Sequence, residues 1–186
     1  MSDRRRRRFR LIILVYPFAL VAIGLVVNVV VFGVGPLAIS LPSPDLVTTL
    51  VVSFILLAAN HTWLMTSTEL TRLKYDLHAT PEEWRAKGLD PNSASEEGRR
   101  ELERRHNAHR NATENMVLFI PAALLLSIIT PTPLAAQVWI VGFAVGRLGH
   151  TYAYLSGRDG LRGLFMSLSL LSLYGCLTYL AVSLFI

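Results

Sequence analysis

Asn107, Arg110, Asn111 and Glu114 lie three or four residues apart, so on a helix they share one face. Arg147, His150 and Tyr154 repeat the device further along, and Arg72, Arg158 and Arg162 stand at comparable distances from their own apolar stretches. Guanidinium groups clamp carboxylates and phosphates, and a carboxylate such as Glu114 accepts hydrogen bonds from an amine. Five arginines (72, 110, 147, 158 and 162) converge on one level, with Glu114 as the one acid among the apolar stretches there. Such an excess of cation points to a pocket for an anionic, multiply charged small molecule. A salt-bridge network between helices, for example Glu114 with Arg147, is the competing reading. Ionisable groups at that depth are costly and normally face the bundle interior in pairs.

The elements that must position these groups follow from the distribution of charge. The 18 Lys and Arg residues fall in three clusters: Arg4 to Arg8 with Arg10, residues 72–110, and residues 147–162. Residues 11–71, 111–146 and 163–186 carry no basic residue. With 52% hydrophobic and 17% charged residues, the chain is too apolar for an ordinary soluble domain. About 20 helical residues cross a hydrocarbon core, so the apolar runs predict five spans: residues 11–33, from 46 through 68, to 130, 134–155 and 161–186. Two crossings separate successive clusters, so all three lie on one face, and the positive-inside bias makes that face cytoplasmic. The prediction is a multi-pass protein of a bacterial inner membrane or its equivalent, with the N-terminus and site face cytoplasmic and the C-terminus outside. A net charge of +5 can also signal nucleic-acid binding, but here the basic residues flank apolar spans, and no nucleic-acid partner is expected. Counting about 20 residues back from Thr130 puts the inner boundary near Arg110, with Glu114 about 6 Å deeper.

Thr80-Pro81-Glu82-Glu83 has the order of a capping box, and Ser95-Glu96 caps a further helix, so the polar loop holds a short helix before the third span. Asn60 and His61 sit mid-span and are expected to hydrogen-bond to neighbouring helices, the other reading being a direct chemical role. Cys176 is the sole cysteine, which excludes an intramolecular disulfide and a cysteine-cluster metal site; no metal is expected. The first apolar run is too long for a cleaved leader, so it reads as an uncleaved helix. The arginine run ahead of it sets topology and meets anionic membrane lipids.

Arg105-His106-Asn107-Ala108-His109-Arg110-Asn111-Ala112-Thr113-Glu114-Asn115 resembles the signature of the MAPEG family, the membrane-associated proteins in eicosanoid and glutathione metabolism. The string Arg147-Leu148-Gly149-His150-Thr151-Tyr152-Ala153-Tyr154-Leu155 resembles the family's second block. Arg162 falls where the family's prostaglandin E synthases have a catalytic arginine. Arg72-Leu73-Lys74 followed by Thr80-Pro81-Glu82-Glu83 resembles the end of the first family helix and its loop. Three departures stand out: Asn107 replaces an arginine common in the family, Gly163 replaces a serine of the prostaglandin synthases, and the first span is an addition.

The resemblance implies an all-α integral membrane fold: a four-helix MAPEG-like bundle plus one additional N-terminal transmembrane helix, assembled as a homotrimer. The organisation expected is a basic segment 1–10, the additional helix 11–35, and the four-helix domain 46–186 with cytoplasmic loops about 76–105 and 156–162. It further implies glutathione as co-substrate, held by Arg72, Arg110, Asn111, Glu114, His150, Tyr154 and Arg158, with Arg162 as the catalytic residue facing the thiol. A transferase, or a peroxidase, would then join glutathione or a related thiol to a hydrophobic molecule or lipid drawn from the bilayer, or reduce it. The alternative is a non-catalytic lipid-binding scaffold or small subunit of a membrane complex with the same fold. The additional helix is expected to serve as an anchor, the other option being a gate for lipid access.

Overall fold

A computed structural model describes residues 3–186; the first two residues of the expected basic segment lie outside the described residues. The fold is all-α. Helix α1 (Asp3–Val26) continues without a break into a π-helical segment, Val27–Phe32, and stops at Gly33, whose φ of 71° is the left-handed region that glycine tolerates. Helix α2 (Pro44–Tyr75) starts where the Ser43 hydroxyl accepts from the Leu46 amide and Pro44 supplies a preset φ. It ends at Asp76, whose left-handed backbone turns its N–H to the Arg72 carbonyl.

The short α3 (Pro81–Ala86) has the predicted cap. Thr80 accepts from the Glu83 amide, and the Glu83 carboxylate reaches back to the amide of Ala79, one residue before the cap. Helix α4 (Glu96–Ile128) is capped by Ser95, which accepts from Gly98. Helices α5 (Pro133–Leu155) and α6 (Asp159–Ser183) complete the bundle.

Against the five spans the sequence predicts, four helical stretches are long and apolar enough to cross a membrane: Arg4–Phe32, α2, α4 and α6. The 23-residue α5 carries Arg147 and His150 and is the most enclosed helix, packed against α2, α4, α6 and the π-helical segment. An interior helix meets protein instead of lipid on most sides, which is where polar side chains are tolerated.

One end of the bundle gathers residues 33–43 and the termini of α4 and α6. The Leu37 amide bonds to the Ser183 carbonyl, Ser40 to Ile128, and the Thr132 amide to the Tyr179 hydroxyl. The main apolar core occupies that half, around Trp139, Tyr179 and the stacked rings of Phe119 and Phe143, 3.7 Å apart. Towards the other end the apolar core shrinks to Leu64, Ala108 and Ala112, and polar side chains take over.

Small residues let α5 and α6 approach closely. A Cβ on Gly146 would lie 2.8 Å from the Ser169 backbone nitrogen, and Gly142 and Gly149 abut Ser172 and the Phe165 ring. Without a hydrophobic drive between helices in lipid, such close packing is a main source of association.

Helix α1 packs on the bundle. It lies along α6, with Gly24 against Gly175. The fully buried Asn28 donates to the Gly175 carbonyl (2.8 Å) and Thr178 Oγ1 (2.9 Å) and accepts from Trp139 Nε1 (2.8 Å). Nearer the basic end, the Tyr16 hydroxyl donates to Ser167 Oγ at 2.8 Å. A polar amide in lipid must find partners, and these are on α5 and α6.

Candidate functional site

Five of the polar residues singled out from the sequence form one connected line through α4, α5 and α6. Arg147, on α5, is fully buried, and its Nη2 donates to Asn111 Oδ1 of α4 at 2.7 Å. The same nitrogen lies 3.4 Å from His150 Nδ1, one turn along α5. The His150 ring contacts Tyr154 with centroids 5.7 Å apart. The Arg162 guanidinium of α6 lies over the Tyr154 ring at 5.3 Å, a cation–π distance, and 3.4 Å from Asp159. The salt-bridge reading is overturned at its centre: Arg147 pairs with the neutral Asn111, and Glu114 has no ion pair among the described residues.

Arg110 and Glu114 lie on the outward face of α4. Together with Glu103, His106, Asn107, His109 and Thr113 they line an open cleft of about 640 Å³. Asn107 accepts a hydrogen bond from the Arg110 guanidinium and so steadies its neighbour. A second cleft, of about 360 Å³, is lined by Arg100, Glu103, Arg104, Asn107, Tyr154, Gly157, Asp159 and Arg162. Glu103 and Asn107 belong to both, so the two clefts meet along one side of α4. Glu103 escapes the sequence reading, although it stands one turn before Asn107 on the same face and the helical spacing continues through it.

Arg72, on α2, pairs with Glu69 and reaches His106 Nε2 at 3.4 Å. Partial desolvation and the neighbouring Arg72 hold the His106 imidazole below its usual pKa; this ring sits on the polar side of Arg110, outside the apolar span. Arg158 is not brought to the clefts. It is exposed, and its guanidinium lies over the Tyr152 ring at 5.3 Å.

His61 does meet a neighbouring helix, with His109 Nε2 3.3 Å from its Nδ1. Asn60 does not: it is fully buried, and neither its amide nitrogen nor its oxygen has a hydrogen-bond partner among the described residues. The expectation fails there: burial brings no donor or acceptor among the described residues within reach of this amide. Asn28 and Trp139 are missed entirely. The only local signal for them is a lone asparagine in an otherwise apolar first span.

Taken together, these features define a class: an all-helical membrane protein with an uncompensated arginine inside the bundle, leading to a cation-rich surface at one end. The MAPEG family profile matches residues 49–182, which is most of the chain, and the protein belongs to that family. Among curated relatives, prostaglandin E synthase of Equus caballus is 40% identical over 55 residues, or 30% of this chain. The alignment spans 36% of that relative, so the chain matches about a third of its length. Helix α1 lies outside the family match.

Proposed function

We propose that this protein is a membrane-bound, glutathione transferase-like enzyme that activates the glutathione thiol for conjugation to a lipophilic substrate, or for reduction of a lipid peroxide. Membership of the MAPEG family supports a general transferase or peroxidase-like role. The observation that carries the reading is the polar line from the buried Arg147 through Asn111, His150 and Tyr154 to Arg162, whose arginines outnumber its acids.

The donor set fits the ligand. Glutathione presents two carboxylates and one α-amine. Arg110 supplies a fork for a carboxylate, and the unpaired Glu114 accepts from an amine. Asn111, His150 and Tyr154 add hydrogen bonds, and Arg72 and Arg158 add cationic charge at the same end of the bundle. Thiolate is the attacking species, and a free thiol ionises only near pH 8.5. Arg162, always charged, stabilises the thiolate without a proton transfer of its own. The thiol proton leaves to water, the sulfur forms a bond to the electrophilic carbon, and the leaving group departs with its electron pair. In the peroxidase variant a first thiolate takes one peroxide oxygen and a second glutathione completes the disulfide, with water and an alcohol released.

In this proposal α1, α2, α4, α5 and α6 cross the membrane. The basic segment 1–10, loops 76–105 and 156–162 and the site are cytoplasmic, and the C-terminus is outside. Residues 11–35 form the additional span and 46–186 the four-helix domain, which assembles as a homotrimer. Exposure of Arg110 and Glu114 on a single chain suits a cleft closed by a neighbouring copy. A lipid-binding scaffold is the second reading. It draws on Asn107, which already takes one N–H of the Arg110 guanidinium.

Thermal unfolding of the detergent-purified protein with millimolar glutathione tests the proposal. A ligand at a hundred times its Kd, bound only to the folded state, stabilises by about 2.7 kcal/mol. The shift is expected in the native chain and lost in Arg110→Ala and Glu114→Ala. Its absence from the native chain favours the scaffold, and its persistence in both variants removes these residues from the site.

A further inference from the structure

Arg147 has a feature that a simple ligand clamp does not need: its side chain is wholly buried. Among the described residues no carboxylate faces it: its partners are Asn111, His150, Ser169 Oγ (3.5 Å) and the Met166 sulfur (3.5 Å). A buried guanidinium without a counter-ion is expensive, and a bundle held together by apolar packing would be more stable without it.

What it does follows from hydrogen-bond chemistry. A guanidinium only donates, whereas amides and neutral imidazoles do both. The 2.7 Å contact therefore identifies the Asn111 atom facing Arg147 as oxygen, and the amide nitrogen with its two hydrogens points the other way. The contact to His150 Nδ1 requires a lone pair there, so the neutral ring carries its proton on Nε2. Ser169 fits the same logic: its hydroxyl donates to the Met166 carbonyl at 3.0 Å and so is free to accept from Arg147. Neither the Asn111 amide nitrogen nor His150 Nε2 has a partner among the described residues.

We propose that Arg147 is a positioning residue that turns Asn111 and His150, each able to donate or accept, into committed hydrogen-bond donors on their edges away from it. With Arg162 beyond Tyr154, the result is a site built for a negatively charged group, a thiolate or carboxylate, and against a cationic one. The inference rests on the proposed function only for the identity of that ligand.

The test is nitrogen NMR of the full chain labelled with 15N-histidine, in lipid nanodiscs, without ligand, under alkaline conditions where the ring is neutral. The His150 signal is assigned by its loss in His150→Gln. The native protein is expected to show the Nε2–H tautomer, and Arg147→Met a mixture or the Nδ1–H form. Arg147→Lys keeps the charge but lacks the fork, and is expected to lose the single tautomer as well. An Nδ1–H tautomer in the native protein overturns the proposal with no variant needed. So does an unchanged Nε2–H tautomer in either folded variant, which a purely structural role for Arg147 would give. Glutathione titration then separates the two readings. If the thiol function holds, affinity falls up to about tenfold for each misdirected donor. If the tautomer follows Arg147 but the native protein binds no glutathione, the positioning role stands and the thiol function falls.

Discussion

Asn28→Leu should weaken the docking of α1 on the rest of the bundle. The native amide makes three hydrogen bonds, to Gly175, Thr178 and Trp139, all within 2.9 Å. Hydrogen bonds between membrane helices average about 0.6 kcal/mol, with a maximum near 1.7 kcal/mol. On that scale the average loss is about 2 kcal/mol and the ceiling about 5 kcal/mol. The structure narrows this range. Thr178 Oγ1 still donates its one proton to the Tyr174 carbonyl (2.7 Å), shared with the Gly175 carbonyl (3.2 Å), so neither group is stranded. Trp139 Nε1 is stranded, since it is buried with Asn28 as its acceptor. The expected loss is therefore about 2–3 kcal/mol, with the stranded indole towards the upper end. Reversible unfolding in mixed micelles, followed by tryptophan fluorescence, measures it. Adding Trp139→Phe to Asn28→Leu should cost less than the two single losses combined, because the indole no longer seeks a partner. A loss below about 0.5 kcal/mol in Asn28→Leu, or strict additivity in the pair, would refute the docking argument.

Other perturbations probe the bundle and the site. Asn60→Leu should raise the thermal midpoint, since a buried amide with neither atom bonded costs about 1–3 kcal/mol; a fall would mean that a ligand or a neighbouring chain partners Asn60. Gly146→Ala forces a methyl group to 2.8 Å from the Ser169 backbone, so α6 must shift, at about 1–3 kcal/mol of overpacking. An unaltered midpoint would show that the α5–α6 seam is looser than its geometry. Arg162→Ala should lower turnover with an aryl halide more than it lowers glutathione affinity, because its interaction strengthens as the thiolate forms. Parallel losses would make Arg162 a clamp.

Local order was legible in the chain alone. The caps at Thr80 and Ser95 act through backbone groups three residues away, and the shared face of Asn107, Arg110, Asn111 and Glu114 needs only helical periodicity. The gathering of basic residues at one end is likewise a matter of order along the sequence. What each polar residue meets was not legible, because it depends on how far each helix rotates and slides against its neighbours. Arg147 finds Asn111 and leaves Glu114 outside, Asn60 finds nothing, and Arg158 turns to Tyr152. Asn28 and Trp139 meet across 111 positions of sequence. Those outcomes were decided by close-packed contacts such as Gly146 on Ser169 and Gly24 on Gly175, which set register and rotation through side-chain volumes from distant segments. Periodicity tells which residues share a face; only packing tells what that face touches.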